Sequence, residues 1–222
     1  MSVNTNARIT GGIRIITAVL MLGSVVWQMS HRIFFNHFRP GEYFAFFTID
    51  TAILGSGVLL VAGLTAWRGQ VESKRLTIAR LTIVTCDTIV AVVYNALLRD
   101  VPPGPEDVGY QWPVLPNELL HVWVPIIIFL DWLWNVPAIR VRVRAVLWVL
   151  VYPLIWLAFS IVRGSIDGWW PYFFIDPSGD AGVGGMIMWI FIIMAALLAV
   201  GSGFLLASRG IAKARKIELA LP

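Results

Sequence analysis

Six apolar runs, at 13–29, 44–67, 81–98, 119–136, 145–162 and 184–207, constrain this chain more than any motif does. A helix needs about 20 mostly apolar residues to cross a bilayer core of about 30 Å, and each run is close to that length. The breaks between them have the chemistry of helix ends. Arg39-Pro40-Gly41, the Pro-rich run 102–107, Pro137 and Asp176-Pro177-Ser178-Gly179-Asp180 all interrupt the pattern. Proline lacks the N–H that continues a helix and also restricts the residue before it. In hydrocarbon every backbone group must be paired within its own segment, so these runs predict helices. No alternating ten-residue strands of a closed barrel are visible. The expected fold is all-α: one polytopic membrane domain over residues 1–222 with six transmembrane helices.

Composition removes the alternatives. Of 222 residues, 58% are apolar and only 14% charged, against about 25% charged in an ordinary soluble domain. Cys86 is the single cysteine, so no intrachain disulfide can form. The net charge of +4 on its own allows a nucleic-acid partner, but its distribution points elsewhere. With the N-terminus inside, all of the 17 basic residues except Arg32, Arg39, Arg99 and Arg163 fall on the inner side. The outer connections collect Glu42, Asp100, Glu106, Asp107, Asp167, Asp176 and Asp180. The positive-inside rule then places both termini in the cytoplasm. Basic residues spread over short loops are topology anchors, so no nucleic-acid partner is expected. The first run is retained as a helix, because Trp27-Gln28-Met29-Ser30 offers no small-residue cleavage site.

Titratable residues at membrane depth cost about 2.5–3.5 kcal/mol each on insertion scales, so each needs a reason. The candidates are Asp50, Asp87, Glu118, His121 and Asp131. Asp87 is mid-span, either a protonated donor or part of a polar interior; Asp131 suits a pairing with Arg140 or a neighbouring span. Thr48 and His121 lie near the outer starts of the second and fourth runs, within about 3 Å of each other in depth at 1.5 Å per residue. A hydroxyl and an imidazole at one depth suit a nucleophile and its base. Asn117, one turn before His121, can orient the ring. Asp50 lies about 200° round the helix from Thr48, so the two do not face one cavity. The plainer readings stay open: a membrane threonine commonly bonds back to a carbonyl one turn earlier, and a lone histidine is commonly a hydrogen-bonded polar residue.

Trp112, Trp169, Trp170 and Tyr172 fall in outer connections and Trp67 at the inner edge, as interfacial belts do. The segment 168–176 is denser in aromatics than anchoring requires and reads as a lid where an acyl chain enters. Ala195, Ala199 and Gly203 have the small-residue spacing that lets two helices approach closely.

These residues resemble the androgen-induced and androgen-dependent membrane hydrolases and their bacterial relatives. Phe46-Phe47-Thr48-Ile49-Asp50 is similar to the family's aromatic-rich threonine motif. Asn117-Glu118-Leu119-Leu120-His121, with Asp131 ten positions later, resembles its Asn-x-x-x-His helix, and 169–176 resembles its aromatic loop before the last span. Two departures stand out: Glu118 occupies the place of a second histidine in vertebrate members, and Asp50 is one position nearer the threonine. The resemblance implies a multi-pass, serine-hydrolase-like carboxylic ester hydrolase in the bacterial cell membrane. Thr48 would be the nucleophile and His121 the base, acting on lipid esters such as fatty acid esters of hydroxy fatty acids. Asn117, Glu118, Asp50, Asp87, Trp169, Trp170 and Tyr172 would line or support the cavity, with no cofactor and no metal. The alternatives are a small proton-coupled transporter relaying through Asp50, Asp87, Glu118 and Asp131, and a non-catalytic membrane protein. A zinc site from His31, His37 and His121 is disfavoured, since His31 and His37 do not share a helical face.

Overall fold

The computed structural model describes residues 5–102, 104, 107–137, 139 and 141–216. Pro103, Pro105, Glu106 and Arg140 lie outside the described residues. Among the described residues there are six helices long and apolar enough to cross a membrane: α1 Thr5–Phe34, α2 Phe47–Trp67, α3 Lys74–Leu98, α4 Val114–Trp134, α5 Val143–Asp167 and α6 Gly182–Ala214. This is the build of an integral, multi-pass membrane protein. Most helices outrun their apolar stretch, α1 and α6 most of all, because a helix continues through the headgroup layer, where water and lipid polar groups satisfy its ends. Local chemistry sets several boundaries. The Ser73 hydroxyl accepts from the Leu76 N–H at 3.2 Å and caps α3. Gly168, at φ 75°, closes α5 in the left-handed region that a side chain disfavours. Phe44 to Phe46 stay outside α2, because the short helix Pro40–Tyr43 uses them to turn the chain.

Successive helices run antiparallel. A Cβ added to Gly11 would lie 2.7 Å from the Gly63 carbonyl oxygen, and one on Gly63 would lie 2.9 Å from the Gly11 carbonyl oxygen. The start of α1 thus touches the end of α2 backbone to backbone. Thr10 bonds Asn135 at 2.9 Å and Arg215 bonds the Trp134 carbonyl at 2.8 Å, so the start of α1 and the ends of α4 and α6 share one end of the bundle, here the terminal end. The small-residue stripe in α6 makes no such contact. Ala195, Ala199 and Gly203 are exposed, and Gly201 instead meets Thr85, Val146 and Val149.

Polarity is inverted relative to a soluble bundle. Ile16, Val19, Phe34, Ile155, Ile166 and Phe191 are more than 60% exposed, whereas Arg14, Thr17, Ser24, Gln28 and Arg32 on α1 are 3% exposed or less. An apolar exterior around a polar seam suits hydrocarbon as the surrounding solvent. At the terminal end the seam is ionic. Arg14 bonds Asp131 at 2.9 Å and Glu72 at 2.6 Å; Arg80 bonds Asp131 at 2.7 Å and Glu72 at 2.8 Å. Two cations and two anions cancel, and each carboxylate is shared by both guanidinium groups. Asp131 therefore pairs with neighbouring spans, as one sequence alternative had it. At the opposite end Arg32, buried, forks onto Asp107 at 2.6 and 3.0 Å, and Arg39 reaches Asp107 at 2.8 Å. These bonds tie the connection between α3 and α4 to the end of α1.

Candidate active site

The site lies at the opposite end, where α2 begins. Thr48 is the second residue of that helix, so the carbonyl one turn earlier, Phe44, is not helical. The contrast with other threonines is informative. Thr17, Thr65, Thr82, Thr85 and Thr88 each bond the carbonyl four residues back, at 2.7–3.1 Å. Thr48 meets the Tyr172 phenol instead, which also faces the backbone of Phe47 and Thr48. Phe46 gives α2 no side-chain cap, and first-turn N–H groups lack partners within a helix. The Tyr172 phenol faces that uncapped turn from the connection between α5 and α6. Burial pushes the phenol up to about 12, so it stays a neutral O–H donor throughout the physiological range.

Two cavities share walls at this point. The larger, about 440 Å³, is lined by Thr48, Asn117 and His121, by Gln28, Arg99 and Asp107, and by the aromatic loop residues Trp169, Trp170 and Tyr172. The smaller, about 70 Å³, is lined almost wholly by apolar side chains of α3, α5 and α6, together with Thr48, Tyr94 and Tyr172. Thr48, Tyr94, Leu98 and Tyr172 line both. Thr48 thus lines both a mixed chamber and a greasy one.

His121 is held by features that spacing did not show. It lies in a π-helical turn, Leu119–Trp123, opposite a second, Tyr94–Leu98, at the end of α3. Such turns are rare and recur at functional sites. Pro125 gives the local reason. It has no N–H to offer the His121 carbonyl four residues back, and Asn95 Nδ2 fills the vacancy at 3.2 Å. The ring stacks on Tyr94 with centroids 3.8 Å apart and planes at 23°. Nδ1 lies 2.8 Å from the Asn117 carbonyl oxygen. A carbonyl only accepts, so Nδ1 carries the hydrogen, and whenever the ring is neutral the lone pair is on Nε2. Asn117 therefore orients the ring through its backbone, while its side-chain Nδ2 donates to the Tyr94 hydroxyl at 2.6 Å.

The helix starts that would put Thr48 and His121 at one depth are not those of the structure. α2 begins at Phe47, later than expected, and α4 begins at Val114, earlier. Both side chains nonetheless line the larger cavity. Asp50 lines neither cavity, though it is near enough to Tyr152 and Tyr172 to act on them electrostatically. Glu118 turns away to Arg99, at 2.6 and 3.1 Å. Asp87 is 4% exposed and its Oδ2 has no partner; it lines neither cavity. The 168–176 segment roofs both chambers: Trp170 packs on Gly164, where an added Cβ would lie 2.5 Å from the indole, and Arg163 sits 4.3 Å over Trp169. His31 bonds the Tyr110 hydroxyl at 2.9 Å and His37 lies tilted against the same ring, whereas His121 packs on Tyr94. Among the described residues no group of three His, Cys, Asp or Glu converges as a metal site. No family model, curated protein or solved structure matches the chain.

Proposed function

We propose that this protein is an intramembrane threonine hydrolase that cleaves lipid esters reaching it from the bilayer. Both termini are cytoplasmic in this reading, and the bacterial cell membrane is its location. One observation carries it: Thr48 lines both chambers, makes none of the i−4 carbonyl bonds that Thr17, Thr65, Thr82, Thr85 and Thr88 make, and shares the larger cavity with a histidine held at Nδ1.

The chemistry runs as acyl transfer. His121 Nε2 takes the Thr48 Oγ proton as Oγ attacks the ester carbonyl, then returns it to the leaving alkoxide. Water, deprotonated by the same nitrogen, attacks the acyl-threonine and releases the acid and the free hydroxyl. The oxyanion needs donors beside Thr48, and the neutral Tyr172 phenol and the Phe47 and Thr48 N–H groups are the groups there, the Ile49 and Asp50 N–H groups being bonded to the Phe46 carbonyl. Asn117 is less suited to that task, its amide being committed to Tyr94. A proton relay finds less support, because Asp131 and Glu118 are each bonded to arginine. Purified protein in detergent should hydrolyse p-nitrophenyl esters, with Thr48→Ala and His121→Ala each inactive yet monodisperse. Wild-type turnover by either variant would overturn the assignment.

A further inference from the structure

The two chambers differ in size and polarity enough to sort the halves of an ester. The larger holds the site's polar and charged side chains: Gln28, Arg99, Asp107, Asn117 and His121. The smaller is walled beyond the junction by Trp156, Leu157, Ile175, Ile190, Ile193 and Met194. Burying an acyl chain in the smaller chamber strips no polar group of water, whereas a polar alcohol there would lose its hydrogen bonds. The alcohol half fits the larger chamber, where donors and acceptors are present. The capacity of the smaller one is about 70 Å³, and a cavity of about 150 Å³ takes a benzene molecule. Roughly half that space holds about three carbons beyond the carbonyl. The walls are built to stay: Trp156 donates its indole N–H to the Ala45 carbonyl at 3.0 Å, and Ile175 is 2% exposed.

We infer that the acyl half of the substrate is short, about butyryl in length, and that the chamber beneath Thr48 selects it. The inference rests on the hydrolase reading and narrows its substrate class to short-acyl esters of larger, more polar alcohols. No bond-making step beyond the acyl transfer already described is involved.

The test is a chain-length series of p-nitrophenyl esters, acetate to palmitate, on the full-length wild-type protein in detergent. One extra or missing methylene in a hydrophobic pocket changes kcat/KM by about 10–200-fold. Butyrate should therefore exceed octanoate by about tenfold or more. Ile193→Ala, a half-buried wall position, should move the optimum to longer chains, and Ile193→Trp should cost butyrate more than acetate. A flat or rising wild-type profile through octanoate overturns the short-acyl inference and leaves the hydrolase intact, as does an optimum that ignores Ile193. Failure of the wild type to cleave any ester overturns both. The wild-type profile alone decides the matter if a variant does not fold.

Discussion

Thr48 and His121 are ordinary residue types made unusual by what surrounds them. The threonine opens a helix, so its hydroxyl has no carbonyl behind it, and Tyr172 stands where a cap would. Tyr172→Phe removes one donor beside the developing oxyanion. A lost oxyanion-hole donor costs about 10²–10³ in kcat, so kcat should fall by about that factor with KM little changed. Steady-state kinetics on a soluble ester separates this from a packing defect, which would move KM and thermal stability together. The histidine's tautomer is fixed by the Asn117 carbonyl. Neither the π-turn that carries it nor the one opposite was legible from spacing; only Pro125, four residues on, marks in the sequence that the His121 carbonyl would need another donor. The 3.6-residue period used to place side chains fails across such a turn.

At the scale of elements, the helices were readable because the bilayer demands long apolar runs, and their ends were not, because helices continue into the headgroup layer at no penalty. The aromatic segment between α5 and α6 was legible as a roof from its density alone. Its fit depends on Gly164, and Gly164→Leu should drive Trp170 off α5 and open the cavity. Trp fluorescence should show greater quencher access, and ester turnover should fall. The small-residue spacing in α6 misled because three small residues mark a possible close approach without naming its partner; the approach is made by Gly11 and Gly63 instead. The ionic seam joins α1, α3 and α4 through residues far apart in sequence, which no local pattern reveals. Asp131→Asn leaves Arg14 and Arg80 sharing one carboxylate at 3–4% side-chain exposure. Breaking a buried pair costs about 3–5 kcal/mol. A clear loss of melting temperature in detergent is expected, and an unchanged one would show the seam to be hydrated.

For the molecule as a whole, inverted polarity and basic asymmetry make one prediction about orientation. Cys86 is buried and supplies no background, so single cysteines report cleanly. An impermeant maleimide should label Ser178→Cys in intact cells and Lys213→Cys only after permeabilisation; the reverse pattern would invert the topology. Mapping a fluorophosphonate adduct by mass spectrometry asks which side chain attacks the ester. The probe should phosphonylate Thr48 in the wild type with loss of fluoride and leave it unmodified in His121→Ala. An adduct on another residue, or none on an ester-cleaving wild-type protein, would rule Thr48 out as the nucleophile.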